Sequence, residues 1–328
     1  MKAYVIETAG GPEVLQLREI DARRPNADEV RIRVRAFGLN RAELYRRSGR
    51  MGPITGQVVP GIEAVGEVLE DPSGTFHAGQ RVATATGGMQ VNRPGSYAEE
   101  VTVLRSNVVD LDGTTLGWEE LASLPLSYLT VWGALGRLID TAPKLTVLVR
   151  GASAAVGQAA VAYAKARGQT VLATTRSLEN TARLKAIGAD AVIIDSGSVA
   201  EQVRAAAPQG VDVALDVVGA GTVLDTARSV SAFGTTVVIG LMSGMPVLEQ
   251  LDLARDLPNA VRLAFFSSSM LGSAALPLDG APLRWMADRQ ASGATASLRV
   301  QTFAFGDVPR AHRLMESNGA QGKLVVLM

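Results

Sequence analysis

From residue 145 to residue 239 the chain repeats one pattern: a short run of Val, Ile and Leu, then a segment of helical periodicity, then another apolar run. The apolar runs fall at 145–149, 170–174, 191–194, 211–217 and 235–239. The helical segments fall at 156–167, 178–187, 199–206 and 222–229, the first two closed by Gly168 and Gly188. Strands this apolar need cover on both faces. Their alternation with helices therefore predicts a parallel sheet with helices packed on either side. A sixth strand is anticipated at 261–266.

The first 115 or so residues have another texture. Candidate strands at 2–7, 14–20, 29–36, 62–69, 81–86 and 98–104 are separated by turns such as Gly10-Gly11-Pro12 and Asp71-Pro72-Ser73-Gly74. Residues 28–35 alternate polar and apolar with period two, as in a half-exposed strand. One short helix is expected at 41–47, between Asn40 and Gly49. This predicts a compact, mostly antiparallel domain. After 268 the pattern weakens to one helix at 308–315 and a closing strand at 323–327, which we expect to return to the first domain. The expected organisation is a domain over 1–118, a second over 119–267, and a returning segment over 268–328. At 328 residues the chain is comfortable for two cores.

Composition excludes several functions. Lys plus Arg equals Asp plus Glu at 32 each, so no basic field exists to draw nucleic acid or an anionic membrane. There is no cysteine, which removes disulfides, thiolate metal sites and cysteine nucleophiles. The only histidines, His77 and His312, lie far apart in sequence and show no ligand spacing. His77 sits in a turn and is expected at the surface; His312, on the late helix, is expected to be solvated. The first residues read as a strand rather than a targeting segment, and no stretch reads as a membrane span, so a soluble cytoplasmic protein is expected.

The strongest local signal is Gly151-Ala152-Ser153-Ala154-Ala155-Val156-Gly157, which joins an apolar strand to a helix. A pyrophosphate must approach backbone N–H groups closely, so side chains there must be small. The helix N-terminus then supplies free donors and a favourable dipole. The register reads Ala152-x-Ala154-x-x-Gly157, so alanine replaces two glycines of the dinucleotide fingerprint, and the strand–turn–helix context carries the reading. Ser153, Ala154, Ala155, Val156 and Gly157 are the expected phosphate-loop residues. At the tip of the next strand an NAD site places an acid; here the sequence is Thr175-Arg176-Ser177. A guanidinium flanked by hydroxyls suits the 2′-phosphate of NADPH, the alternative being a solvated residue at a helix start. Gly240, at the end of the fifth strand, lets the chain pass close to the cofactor. Asp216, ending the fourth, is either a helix cap or a ligand.

With these residues placed, the flanking motifs become recognisable. Pro60-Gly61-Ile62-Glu63-Ala64-Val65-Gly66-Glu67-Val68 with Gly79-Gln80-Arg81-Val82, Gly95-Ser96-Tyr97-Ala98-Glu99, Ser127-Tyr128-Leu129-Thr130, Leu184-Lys185-Ala186-Ile187-Gly188-Ala189-Asp190 and Gly322-Lys323-Leu324-Val325 resemble, in order, the signatures of the medium-chain dehydrogenases/reductases. The likeness implies an α/β protein: a GroES-like, mostly-β catalytic domain plus a Rossmann doubly wound parallel-sheet domain. Asn40 stands where zinc-dependent relatives carry their first ligand cysteine, and Ile62 replaces the histidine before Glu63. The sequence therefore resembles the zinc-free quinone oxidoreductase branch, which also carries a tyrosine five residues after that asparagine, here Tyr45. A lysine that this branch often carries after the arginine is Asn180 here.

The resemblance implies an NADPH-dependent reductase that passes hydride to a quinone or another α,β-unsaturated carbonyl. The alternatives are an enoyl-thioester reductase of a fatty-acid or polyketide pathway and a non-catalytic NADPH-binding sensor. It places Asn40 and Tyr45 at the substrate, against the plain readings that Asn40 caps a helix and Tyr45 packs. It places Thr130 at the nicotinamide, otherwise an ordinary helix residue, and Lys323 at a cofactor phosphate, otherwise a surface charge. The partners expected are a small-molecule substrate and, because 265–270 reads as an open edge strand or a pocket wall, a second copy in a homodimer.

Overall fold

The computed structural model of the chain describes residues 1–328 except 141, 245 and 321. It divides into two compact units. One comprises Met1–Leu129, Ser269–Ser292 and Leu298–Met328; the other comprises Thr130–Ser268 and Gly293–Ser297.

The first stretch of the first unit holds β1 (Lys2–Val5), β2 (Gln16–Glu19), β3 (Glu29–Gly38), α1 (Arg41–Arg47), β4 (Glu63–Glu70), β5 (Arg81–Ala85), β6 (Glu100–Leu104) and β7 (Val108–Asp110). Two short helices follow, α2 (Trp118–Leu121) and α3 (Pro125–Val131). The unit runs beyond the boundary anticipated at 118 because α2 is tied into it. The Arg81 guanidinium lies 4.2 Å from the Trp118 ring centroid and donates to the carbonyls of Thr114 and Leu116.

The second unit is the strand–helix repeat. Its strands are β8 (Thr146–Arg150), β9 (Thr170–Thr175), β10 (Ala191–Ile194), β11 (Val211–Asp216), β12 (Val230–Val238) and β13 (Arg262–Phe265). Its helices are α4 (Ala155–Ala166), α5 (Thr181–Ile187), α6 (Ala200–Ala206), α7 (Val223–Arg228) and α8 (Leu253–Asp256). The spatial order is β10-β9-β8-β11-β12-β13, and every pairing is parallel. This is the doubly wound arrangement in which the chain reverses direction across the sheet between β8 and β11. Leu148, Leu172, Ile193, Val203, Val211 and Ala214 pack into one buried cluster, which is why these strands carry so few polar residues.

The returning segment supplies α9 (Leu283–Ala291), β14 (Val300–Ala304), α10 (Val308–Glu316) and β15 (Lys323–Leu327). The main sheet of the first unit runs β14-β15-β3-β4-β5-β7, with β6 on β3. All its pairings are antiparallel except β14 with β15. Its core includes Ile32, Phe37, Met89, Tyr97, Val308, Met315 and Val326, with the Phe37 and Tyr97 rings stacked at 4.6 Å. Among the described residues no helix is long and apolar enough to cross a membrane.

Candidate active site

Each unit presents one set of the anticipated residues. In the second unit β8 ends at Arg150, the chain turns at Gly151 with φ +78°, and α4 begins at Ala155. The loop is pinned to β9: Gly151 N donates to Thr174 Oγ1 at 3.1 Å and Ala152 N to Thr174 O at 2.9 Å. A Cβ on Gly157 would lie 2.5 Å from Gly151 O and 2.7 Å from Ala152 Cα, so only glycine lets the helix sit this close to the loop. The cap residue is Ala154, whose side chain accepts nothing. The first-turn N–H groups of Ala155, Val156 and Gly157 therefore stay open, as an anion site requires.

Thr175, buried at the end of β9, accepts from Ser177 N at 3.3 Å and from Asn180 Nδ2 at 3.2 Å. Asn180, in the place of the branch's lysine, thus braces the turn. Ser177 caps the turn that follows by accepting from Glu179 N. Arg176 projects from this brace, exposed and without a hydrogen bond or ion pair to any described residue.

Asp216 proves to be a turn anchor. It accepts from Val218 N and Gly219 N, both at 2.8 Å, and from the hydroxyls of Thr222 and Thr226. Gly240 is required where it stands, because a Cβ would collide with Val217 O. Gly240→Ala is expected to push the β12 tip aside, destabilising the protein by about 1–3 kcal/mol and weakening cofactor binding. Paired denaturant and cofactor titrations check this, and an unchanged cofactor affinity would refute it. Thr130 is buried on α3 at 4% exposure.

Sequence reasoning missed Arg150. Its fully buried guanidinium bonds Asp195 at 2.9 Å, Asp225 at 2.7 Å, the carbonyls of Gly197 and Thr222, and Thr226 Oγ1. It ties the end of β8, just before the loop, to the segment after β10 and to α7.

In the first unit, Asn40 precedes α1 in extended conformation, and its backbone N–H donates to Glu43 Oε2 at 2.8 Å, an N-terminal cap made from within the helix. Its side chain turns elsewhere. Nδ2 donates to Glu63 Oε1 at 2.8 Å and to Glu43 Oε1 at 3.3 Å, while Oδ1 accepts from Lys323 Nζ at 2.6 Å. Both amide hydrogens are therefore engaged with carboxylates, and the expectation that Asn40 donates to a substrate oxygen is revised. Lys323 is corrected as well. It is 2% exposed and ion-paired with Glu63, so it is neither a surface charge nor open to a phosphate. Burial pushes the Glu43 carboxyl up to about 7, and the charge of Glu63 pushes the same way. Tyr45 is half-buried against the core, with the Arg50 guanidinium 5.6 Å from its ring centroid.

His77 is exposed, as expected. His312 is not solvated. It is fully buried, with Nε2 3.0 Å from Tyr97 Oη, and burial followed by the Arg47 charge lowers its pKa to about 3.

Two family models match. Residues 26–113 match the alcohol dehydrogenase GroES-like domain, and residues 155–277 match the zinc-binding dehydrogenase domain. The chain is 28% identical to the quinone oxidoreductase of Rattus norvegicus over 344 residues, covering 100% of this chain and 98% of the relative. The quinone oxidoreductase structure from Pseudomonas syringae pv. Tomato DC3000 superposes with a TM-score of 0.85 at 29% identity, over 100% of this chain and 99% of that one. This chain belongs to the quinone oxidoreductase-like branch of the medium-chain dehydrogenase/reductase superfamily.

Within that superfamily a mycobacterial structure complexed with NADPH superposes with a TM-score of 0.84 at 27% identity, covering 100% of both chains. The squalestatin tetraketide synthase of Cochliobolus lunatus matches 98% of this chain at 27% identity, but the chain spans only 13% of that synthase's length. The GroES-like and Rossmann-like architecture expected from sequence is thus shown. So is an oxidoreductase that uses a nicotinamide cofactor.

One of the matching family models is that of a zinc-binding dehydrogenase. The donors present do not fit zinc. Cysteine is absent, His77 is exposed in a turn, His312 is buried against Tyr97, and the charge beside Asn40 and Glu63 is the ammonium of Lys323. Among the described residues no three His, Cys, Asp or Glu side chains gather where they could hold a metal ion.

Proposed function

We propose that the chain is an NADPH-dependent, zinc-independent reductase of quinones or other α,β-unsaturated carbonyl compounds. The observation that carries the cofactor choice is Arg176, a guanidinium without a partner among the described residues at the tip of β9, where an NAD site would present an acid. Thr175 and Ser177 supply the neighbouring hydroxyls. Ser153, Ala154, Ala155, Val156 and Gly157 would hold the pyrophosphate on open N–H groups, Gly240 would let the chain run close to the cofactor, and Thr130 would face the nicotinamide. When bound, NADPH supplies the hydride. The protein then has to hold the acceptor and stabilise the negative charge that develops on its oxygen. Tyr45, which stands five residues after Asn40 as in the quinone oxidoreductase branch, is assigned that donation. Exclusion of zinc rests on the donor set.

An enoyl-thioester acceptor is the second reading, favoured by the match to the squalestatin synthase. NADPH oxidation measured with a simple quinone and with a crotonyl thioester separates the two. Tight NADPH binding without turnover of either acceptor would instead mark a non-catalytic sensor. Tyr45→Phe is expected to lower kcat about tenfold, the worth of one hydrogen bond to a charged oxygen, and to leave NADPH binding alone; unchanged kcat would remove Tyr45 from the site.

A homodimer belongs to the same proposal. β13 ends the parallel sheet with an open edge, and its Phe265 is 55% exposed. Light scattering in solution tests it, as fractionation of cells tests a cytoplasmic location.

A further inference from the structure

We propose that Lys323 is a positioning residue: its buried ammonium locks Asn40, and through Asn40 the start of the helix that carries Tyr45, without touching the cofactor. The inference rests on the assignment of Tyr45 given above. α1 has only seven residues, too few to hold its place by its own hydrogen bonds. It is held at both ends by buried charge. At its far end Arg47, fully buried, donates to Gly10 O at 2.8 Å and pairs with Glu316 on α10. At its start the lock is Lys323. Nζ donates to Asn40 Oδ1, which settles which way the amide faces, and pairs with Glu63 Oε1, which receives Asn40 Nδ2.

The side chain of Lys323 reaches this point across Gly38, where a Cβ would collide with its Cε and with Glu63 Oε1. Glu63 Oε2 accepts from Leu126 N at 2.8 Å, in the first turn of α3, the helix that carries Thr130. One buried ion pair therefore registers β3, β4, β15, α1 and α3 against each other. Turning Nζ outward to a phosphate would strand Glu63, fully buried, without its cation.

The test compares Lys323→Met with the charge-free pair Glu63→Gln/Lys323→Met. Lys323→Met is expected to lower kcat on the order of tenfold, as misplacement of a reacting group does, with the Kd for NADPH held within about twofold. A Kd raised several-fold with kcat kept would show a phosphate contact and overturn the proposal, as would no change in either. The double variant removes the stranded carboxylate, so it should recover thermal stability while kcat stays low. Recovery of both would reduce Lys323 to a purely structural role and overturn the proposal.

A measurement on the unaltered protein needs neither turnover nor a variant that folds. With 15N-asparagine labelling, the Asn40 side-chain NH2 pair should exchange slowly with solvent. Exchange at the free-amide rate would show that the lock does not exist. If the unaltered protein reduces no conjugated carbonyl but this pair is protected, the assignment of Tyr45 falls while the lock stands.

Discussion

Arg176→Ala is expected to raise the KM for NADPH roughly ten- to a hundredfold and to move that for NADH by less than about threefold. A charge-assisted bond to a phosphate contributes about 1.5–3 kcal/mol, and each 1.4 kcal/mol is tenfold in affinity. The coenzyme without the 2′-phosphate has nothing for the guanidinium to hold, so the loss should fall on one cofactor only. Arg176 has no bond to another described residue, and its removal should leave the thermal midpoint where it was. That separates a lost phosphate contact from a disturbed β9 tip, whose brace runs through Thr175, Ser177 and Asn180 instead. Because the side chain is exposed, the discrimination should shrink as salt rises. Steady-state kinetics with both coenzymes at two ionic strengths measure it. An equal rise for NADPH and NADH would remove the reason for naming the phosphorylated coenzyme.

The parallel sheet was legible because its strands are covered on both faces and have to be apolar throughout. The edge strand expected at 261–266 appears at Arg262–Phe265, where Leu263 and Ala264 keep the apolar run although both ends of the strand are exposed. α1 was legible to the residue, since Asn40 and Gly49 bracket it. β14 was not legible, because a strand with Gln301, Thr302 and Ala304 exposed carries a weak pattern. β7, with three residues, is too short to show one.

The strand–turn–helix around Gly151–Gly157 and the turn after β9 could be read because small residues and hydroxyls at a strand end leave a local pattern along the chain. The Lys323–Glu63–Asn40 network could not. Its members are separated by as many as 283 positions, and a pairing at that distance leaves no local trace. His312 was misread although its signal was present. Val308, Ala311, His312 and Met315 form one helical stripe, and all four are buried. Place on the late helix alone said nothing of burial; the face of the helix decides it.

That buried imidazole has a consequence for acid stability. In the unfolded chain His312 takes a proton near its ordinary value of 6.5, while in the folded protein burial, then the Arg47 guanidinium, hold it down to about 3. Between these values only the unfolded state binds the proton. The histidine's contribution is therefore complete above pH 6.5 and is lost as the pH falls towards 3, at about 1.4 kcal/mol per pH unit. At pH 4.5 the unaltered protein should have lost roughly 3 kcal/mol from this one group. Glu43 works in the opposite sense. Its folded value, raised to about 7, makes its contribution present at low pH and lost as the pH rises through 7, so it offsets part of the change in the total. The quantity to measure is the difference between the protein and His312→Gln, in which Glu43 cancels. Glutamine keeps a partner for Tyr97 Oη and cannot charge. The variant should be the less stable protein at pH 7, for it packs less well. It should overtake the unaltered protein as the pH falls to 4.5, with the two denaturation midpoints crossing between. Parallel stability curves would mean that His312 titrates in the folded protein as it does in water, and that the cavity around it admits a charge.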